Sequence, residues 1–494
     1  MRFLHQIIDH TDALQYHRIP LWRNTALPDT EKTNLRLIII PLMISTLAVI
    51  LTHTMFAVAI PFIRFQYSLD ADTASWLIVA YTLPFMGFMP LFGRLADALG
   101  RKTLLLSGLV IFLGGSLIIV YAGSFSGIMI GRVIQGIGSA CVNPLSMSII
   151  VHHAQNHERG KALATWNMMG PIAGIAGPLI AGQLIDYATW EAIIWPLAIV
   201  VLASIITVYR LIPNEQPVKG RQARTVLASF DWVGVLLFNL MICSLVFFTS
   251  SRPITGREPL TDLRLLLAAG IFLTCFIIYE RKKSDPFINL SIFRNRNLSC
   301  ASLSVSVRMM LLGGVLFAIP LLVTDIYGFS ASATGLVLVL HSAALLLTMR
   351  LGGILIDRWK RRGQIILGLG IESVSMLIFA FMPAGAPVAL IFSVVVLHGL
   401  GAGLCLAALH IYALSSVDSS NSGAAAGVYS MIRFSGSLFG AAFGGIILYS
   451  GMELHGISYE AYVPMFFFYF GISILGAASA FGLTKHLPKL SAKT

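Results

Sequence analysis

Long apolar runs recur along this chain and constrain its fold more than any other feature. An apolar segment of about 20 residues is long enough to cross the hydrocarbon core of a membrane as a helix. Fourteen segments meet this length, so the sequence predicts an all-α integral membrane protein. The predicted spans cover residues 37–60, 75–92, 103–122, 127–150, 162–184, 191–210, 232–250, 263–280, 299–323, 331–356, 364–382, 386–412, 423–449 and 462–483.

The composition excludes a water-soluble protein. Hydrophobic residues make up 56% of the 494 residues and charged residues only 11%, whereas soluble domains carry roughly a quarter charged residues. So little charge cannot cover the surface of a soluble protein of this size. The five cysteines lie in apolar runs and form no CxxC pair, so we expect buried thiols rather than redox or metal groups.

The distribution of Lys and Arg predicts the orientation in the membrane. With the N-terminus inside, the inward loops and termini hold 26 of the 34 basic residues, and the outward loops hold four. Because cytoplasmic loops are enriched in Lys and Arg, we expect both termini in the cytoplasm and the chain in the cell (inner) membrane. The net charge of +12 lies largely in these loops, so no nucleic-acid partner is expected.

Two segments repeat at nearly the same spacing. Residues 93–102 read GRLADALGRK, and residues 353–362 read GILIDRWKRR, an offset of 260 residues at which Gly, Leu, Asp and two basic positions coincide. The string AIP occurs at 59–61 and again at 318–320. The repeat predicts two copies of a six-helix unit with two helices inserted between them.

This repeat predicts five parts of the chain. They are a cytoplasmic segment at 1–36, an N-terminal six-helix bundle at 37–212, two inserted helices with linkers at 213–297, a C-terminal six-helix bundle at 298–485 and a cytoplasmic tail at 486–494.

A few ionisable residues lie inside the predicted spans. A guanidinium there, such as Arg132, needs a backbone carbonyl partner or a polar cavity, and Gln135 one turn later shares its helix face. Glu372 is the only carboxyl group deep in a span, where desolvation favours the neutral form and suits reversible protonation. A structural role is equally compatible with its position. Among the histidines, His53 is the best candidate for a cavity group, and the others are expected to be packing residues.

Several strings identify a family resemblance. Residues 93–102 resemble the signature loop of the major facilitator superfamily, GRVIQGIG at 131–138 resembles its fourth-helix arginine motif, and GPIAGIAGP at 170–178 resembles its antiporter motif. DWVG at 231–234 and FRNRN at 293–297 are similar to the segments beside the extra helices of fourteen-span drug:proton antiporters of the EmrB/QacA type. The resemblance covers about residues 40–485.

The resemblance implies the major facilitator fold and three groups of functional residues. A conformational latch involves Gly93, Asp97, Arg101 and Lys102, with Asp357 and Arg361 in the second copy. Proton coupling involves Arg132, to which we add Gln135, Glu372 and His53 as candidates. The antiporter motif, which marks exporters, comprises Gly170, Pro171, Gly174, Gly177 and Pro178. We also expect Gly93, and the GxxxG pair at 170 and 174, to allow close helix packing.

The chain departs from the family pattern in the first span. Thr52 stands where the fourteen-span branch usually has Asp, and Ala57 stands where it has Asn. Glu191 follows Trp190 where Arg is usual. The missing aspartate puts the usual proton site, and cationic substrates, in question.

Three functions are compatible with these features. The leading one is a secondary transporter that exports a small amphipathic compound in exchange for protons. The alternatives are a carrier of an anionic metabolite or siderophore-like compound, because the spans hold Arg132, Arg308 and Arg433, and a non-transporting sensor or assembly factor. A periplasmic adaptor protein is a possible partner. No nucleophile–base group, metal-ligand cluster or phosphate loop stands out, so neither an enzyme nor a cofactor is expected.

We predict that both termini face the cytoplasm, because basic residues are strongly biased to the inward loops. An epitope tag at either end should react with antibody only after the cells are permeabilised. A tag between the seventh and eighth spans is the positive control, since it should be reached in intact cells or spheroplasts. Terminal tags that react without permeabilisation would contradict the orientation.

Overall fold

The computed structural model describes residues 35–155, 158–214, 230–283, 286–355, 361–415 and 422–484. Within these ranges, the description does not include the side chains of residues 94, 97, 98, 253, 355, 414, 415 and 422–426. Over the described residues, all regular secondary structure is helical, which confirms the predicted all-α class. In lipid a helix satisfies every backbone hydrogen bond within its own segment.

Fourteen helices of the described ranges are long and apolar enough to span a membrane, as predicted. They are α1 (Leu35–Gln66), α2 (Ala71–Leu99), α3 (Arg101–Tyr121), α4 (Phe125–His153), α5 (Arg159–Tyr187), α6 (Trp190–Leu211), α7 (Trp232–Ser250), α8 (Leu263–Lys282), α9 (Arg296–Asp325), α10 (Ala331–Leu355), α11 (Arg361–Phe381), α12 (Val388–Ser415), α13 (Ser422–His455) and α14 (Tyr459–Ala480). Short breaks interrupt α4 after Ser139 and α5 after Asn167. We call the face at which α1 begins and α14 ends the termini face, and the other the opposite face.

Two helix crossings reproduce the sequence repeat in space. α3 and α4 cross where Gly108 and Gly138 face each other, and a side chain on either glycine would collide with the carbonyl oxygen of the other. α11 and α12 cross in the same way at Gly368 and Gly401. Gly368 follows Gly108 by 260 residues, the offset of the repeat. Helices α1–α6 and α9–α14 therefore form two related bundles, here called the first and second halves.

The two halves meet along three helix pairs. α5 packs along α10, α2 packs along α13, and α1 contacts α9. We call this contact zone the seam. α7 and α8 pack on each other, and α7 contacts both α2 and α13. The inserted hairpin therefore lies against one edge of the seam.

An ion pair joins the halves at the opposite face. Arg64 near the end of α1 lies 2.5 Å from the Asp325 carboxylate at the end of α9, measured from Nη1 to Oδ2. The Tyr462 hydroxyl donates a second hydrogen bond to the same carboxylate oxygen, at 2.9 Å. Both charged side chains are mostly buried, at 14% and 15% exposure, so water screens this pair only weakly.

A second contact across the seam at this face is a helix cap. Asp186 near the end of α5 accepts hydrogen bonds from the backbone N–H groups of Ala331 and Ser332, at 2.8 and 2.9 Å. These groups begin α10, where unpaired N–H groups and the helix dipole favour a negative charge. The cap fixes the start of α10 in the second half to the end of α5 in the first.

The loop between α7 and α8 adds a third contact at the opposite face. Arg252 donates to Asp72 from Nε at 2.7 Å and from Nη2 at 2.8 Å, and to Asp70 from Nη2 at 2.5 Å. Its guanidinium also lies over the Tyr449 ring of α13, 3.8 Å from the ring centre. These acceptors, with Asp72 foremost, raise the pKa of Arg252 above its ordinary value. The inserted hairpin thereby ties α2 to α13.

Asp231 explains the DWVG string at the other end of the hairpin. It caps α7 by accepting from the Gly234 N–H at 3.0 Å, and it accepts from the Phe287 N–H at 2.9 Å and from Lys283 at 3.2 Å. Burial alone would raise the pKa of Asp231, but these hydrogen bonds outweigh burial and lower it. A side chain at Gly234 would meet the Asp231 and Glu280 carboxyl groups, so glycine leaves room for both of them beside the start of α7.

The α5–α10 contact is close at the opposite face and widens towards the termini face. A side chain at Gly182 would collide with the backbone of Ala331 and Ser332, and one at Gly174 would press on Ser342. At Gly170, one turn further towards the termini face, a side chain would only touch Ile50, at 4.0 Å. The structure is therefore closed at the opposite face.

We predict that Arg252→Met lowers the stability of the closed protein by about 3 kcal/mol, because it leaves the fully buried Asp72 carboxylate without its partner. Arg264→Met is the matched control, since Arg264 lies in the first turn of α8, directly after this loop, but pairs locally with Asp262 and is 72% exposed. Thermal unfolding of the purified proteins in detergent measures the effect. Equal melting temperatures for the two variants would contradict this role of Arg252.

Candidate functional site

Arg132 lies at the centre of the first half. It is fully buried, and its Nε donates to the Leu77 carbonyl oxygen of α2 at 2.8 Å. α4 comes close enough for this bond because Gly136 lies directly against the Tyr81 carbonyl, where a side chain would collide. The sequence leaves two settings open for Arg132, a backbone carbonyl partner or a polar cavity. The bond to Leu77 is the first of these.

Two aromatic rings enclose the guanidinium. Its Cζ atom lies 4.2 Å from the centre of the Phe56 ring and 4.5 Å from the centre of the Tyr81 ring. Cation–π contacts in a desolvated site contribute about 2 kcal/mol each. This enclosure partly replaces the water that the charge has lost, although the Nη2 atom of Arg132 makes no hydrogen bond.

A polar chain continues from Arg132 along α4. Its Nη1 donates to Gln135 Oε1 at 3.1 Å, and Gln135 Nε2 donates to the Ser116 hydroxyl of α3 at 2.8 Å. The structure therefore brings Arg132 and Gln135 together, as their spacing of three residues predicts. All three side chains are fully buried.

The first span supplies no carboxylate to Arg132. Thr52, at the usual aspartate position, donates its hydroxyl to the Ala48 carbonyl of its own helix at 3.1 Å. Among the described residues, no Asp or Glu lies within ion-pair distance of Arg132. His53 is partly exposed, and its ring centre lies 6.2 Å from that of Tyr81. His53 therefore lies beside the arginine site.

Arg433 of α13 is the arginine of the second half that faces the seam. Its Nη1 lies 3.5 Å from His410 Nε2, and His410 Nδ1 lies 2.9 Å from the Tyr429 hydroxyl. Because a guanidinium only donates, His410 accepts at Nε2 and is neutral, with its proton on Nδ1 towards Tyr429. The Arg433 Cζ atom also lies 4.5 Å from the centre of the Phe434 ring.

A row of aromatic rings connects the two arginines across the seam. Tyr81 stacks on Phe85 with ring centres 5.9 Å apart, and Phe85 meets Phe434 edge-to-face at 4.8 Å. We call Tyr81, Phe85 and Phe434 the aromatic bridge. It places one guanidinium at each end of a row of rings near the middle of α2 and α13, in which Tyr81 and Phe85 are buried and Phe434 is partly exposed. Sequence reasoning missed this bridge, since no spacing rule pairs Phe85 with Phe434.

A separate polar cluster lies inside the second half. Arg308 of α9 donates to the Ala402 carbonyl of α12 at 3.0 Å. Glu372 of α11 is fully buried against Gly401, and neither carboxyl oxygen has a hydrogen-bond partner. Arg308 acts on Glu372 electrostatically. Glu372 occupies the place that Phe112 has in the first half, since each packs on the glycine of its helix crossing.

Two histidines adjoin this cluster. His341 Nε2 of α10 lies 2.9 Å from His398 Nδ1 of α12, and both side chains are buried. His398 Nε2 has no partner. The two rings are thus joined by one hydrogen bond, which fits the predicted packing role of these residues.

The antiporter motif belongs to α5 and contacts both α1 and, across the seam, α10. Thr54 of α1 donates to the Ala173 carbonyl at 3.1 Å, and a side chain at Gly177 would collide with Thr54. Pro178 lies inside the α5 helix, and its carbonyl lies directly against Gly335 of α10. Pro171 lies in the first turn after the break in α5. The motif therefore sets how closely α5 approaches both α1 and α10.

The structure describes the predicted latch only in part. Lys102 donates to the Tyr209 carbonyl of α6 at 2.8 Å, which is a contact within the first half. Arg101 and Arg361 begin α3 and α11. The side chain of Asp97, and the whole of Asp357, lie outside the described residues.

The expectation for Gly93 is wrong for this conformation. A side chain built at Gly93 meets no atom of the described residues within 4 Å, whereas we expected a close helix contact there. Gly93 lies near the end of α2 and is exposed. Close packing of α2 occurs instead in its middle, against Gly136 of α4.

Fourteen membrane helices in two related six-helix bundles, with a charged site at the seam, define the secondary-transporter class of membrane protein. Comparison with known protein families supports this class. The model of the Major Facilitator Superfamily matches residues 42–441 and 301–494. The chain therefore belongs to the major facilitator superfamily.

Similar proteins include several bacterial transporters. The uncharacterized MFS-type transporter YvkA of Bacillus subtilis is 26% identical over 90% of this chain and 95% of its own length. The multidrug resistance protein Stp of Mycobacterium tuberculosis is 27% identical over 79% of this chain and 72% of its own length. The drug efflux pump JefA of the same species is 25% identical over 79% of this chain and 76% of its own.

A solved structure shares the fold. The crystal structure of the human organic anion transporter MFSD10 (TETRAN) aligns with 90% of this chain and 99% of its own, with a TM-score of 0.57. Because the two are only 15% identical in sequence, this likeness concerns the fold alone.

We predict that Arg132→Met abolishes transport but leaves the melting temperature equal or higher. A buried guanidinium with an unpaired nitrogen is costly in a membrane, so an apolar side chain of similar length should not weaken packing. Arg350→Met is the control, because Arg350 is exposed on α10. Substrate flux in proteoliposomes and thermal unfolding measure both effects. A large drop in melting temperature would show that Arg132 is chiefly structural.

Proposed function

We propose that this protein is a secondary active transporter that exports small amphipathic compounds in exchange for protons. Family membership and the relatives named for multidrug resistance and drug efflux support this function. The observation that carries it is the aromatic bridge at the seam, with an arginine at each end. Apolar rings with few polar groups suit compounds with an apolar body and one charged or polar part.

Transport proceeds by rocking of the two halves. The described conformation is closed at the opposite face by the Arg64–Asp325 pair, the Asp186 cap and the Arg252 contacts. Opening that face breaks these contacts across the seam, and closure of the termini face must replace them. We assign the replacement to the latch, namely Gly93, Asp97, Arg101, Lys102, Asp357 and Arg361. The termini face is then the cytoplasmic side of the inner membrane. We keep the division of the chain into the five parts that the sequence repeat predicts.

Glu372 is the proposed proton carrier, since Thr52 replaces the usual aspartate. A buried carboxyl without hydrogen bonds is held more easily as the neutral acid than as an unpaired anion. A change in the distance from Arg308, or entry of water, would favour release of the proton. We assign Arg132, Gln135 and His53 to the same coupling in the first half. Such a difference between two conformations couples the proton to the transport cycle.

The test uses proteoliposomes with an imposed pH gradient and the membrane potential clamped by potassium and valinomycin. Two dyes share a xanthene body but differ in charge, the cation rhodamine 123 and the anion 6-carboxyfluorescein. At least one dye should move against its own gradient, above the level in empty liposomes, and only while the pH gradient lasts. If neither dye moves, export of amphipaths is contradicted.

We predict that Glu372→Gln reduces uphill flux on the pH gradient at least tenfold but keeps dye exchange at equal pH. The amide has the shape of the neutral acid but cannot carry a proton. Glu258→Gln is the control, because Glu258 is exposed in the loop after α7. Uphill flux in Glu372→Gln at the wild-type rate would make Glu372 structural and direct attention to His53.

A further inference from the structure

The charges inside the spans are unbalanced. Three arginines lie deep in the membrane, namely Arg132, Arg308 and Arg433, and among the described residues none is in an ion pair. Within the described part of the chain, the only carboxyl group at that depth is Glu372, which interacts with Arg308 inside the second half. The two arginines at the aromatic bridge therefore have no anionic partner.

Arg433 is the more accessible of these two. Arg132 is fully buried between its rings, whereas Arg433 is partly exposed. Arg433 uses only Nη1 for a hydrogen bond, to His410, and its Nε atom is buried without a partner, so a ligand that reaches it meets an unsatisfied donor in a dry environment. The Nε and Nη2 groups form the edge with which an arginine binds a carboxylate through two parallel hydrogen bonds.

We infer that the transported compound is an amphipathic anion, whose carboxylate or sulfonate binds Arg433 while its apolar body lies on the aromatic bridge. This inference rests on the proposed function and names the charge class of its substrate. The anion pairs with a guanidinium that otherwise lacks a counter-charge, and this pairing is strong because little water is present.

The surroundings of the bridge also disfavour a cation. A positive group there would lie between Arg132 and Arg433, and the described residues of the bridge offer no carboxylate to it. Thr52, at the position where the family pattern has aspartate, supplies only a hydroxyl, already used on Ala48. Repulsion by two like charges in a medium of low dielectric then selects against cations.

The test measures dye binding separately from dye transport. The purified protein in detergent is titrated with 6-carboxyfluorescein and with rhodamine 123, followed by fluorescence anisotropy. The wild type should bind the anion at least tenfold more tightly than the cation. If the wild type binds rhodamine 123 more tightly than 6-carboxyfluorescein, the inference is overturned. The exporter function would still stand if the protein moved rhodamine 123 uphill in the flux assay.

Variants locate the binding group. Arg433→Gln should weaken binding of 6-carboxyfluorescein at least tenfold, and Arg433→Lys should recover part of it, since the charge returns without the paired N–H groups. Arg350→Gln, which changes an exposed arginine of α10, is the control. Size-exclusion chromatography checks folding, and the comparison of the two dyes on the wild type needs no variant. Equal anion binding by wild type and Arg433→Gln would overturn the assignment.

Discussion

The hydrocarbon core requires every spanning segment to satisfy its own backbone, so the chain crosses it only as helices. Lipid and helix surfaces are equally apolar, which leaves close van der Waals contact to decide which helices meet. In this protein glycines supply that contact. At Gly436 and Gly440 of α13, a side chain would collide with carbonyl oxygens of α9, and at Gly403 of α12 with one of α10. The packing of the second half depends on these approaches.

The two halves share a scaffold but differ in chemistry. Where Phe112 fills the α3–α4 crossing, Glu372 fills the α11–α12 crossing, so only the second half gains a titratable group there. Likewise, Arg132 is fully buried between rings and bonded to a carbonyl, whereas Arg433 is partly exposed. A repeated fold thus yields one half with an enclosed charge and another with a more accessible one. We propose that this asymmetry lets substrate and proton use different residues.

The spans, the repeat and the Arg132–Gln135 pair could be predicted from the sequence, because each follows from a spacing along one segment. The aromatic bridge could not, since Phe85 and Phe434 meet only after two helices from different halves pack together. The partner of Arg433 depends likewise on the packing of α12 on α13. Gly93 shows the converse error, because a glycine in a motif indicates that close packing is allowed but not in which conformation it occurs.

An alternating-access cycle requires two conformations of similar free energy, within a few kcal/mol of each other. The opposite face holds two buried ion-pair clusters and a helix cap, each of which breaks or weakens when that face opens. The Arg252 contacts come from the inserted hairpin, so the insertion adds to the stability of one state only. The other state therefore needs contacts of comparable strength at the termini face. We propose that the charged groups repeated near the ends of α2 and α10 supply them, which would account for a motif that recurs once in each half.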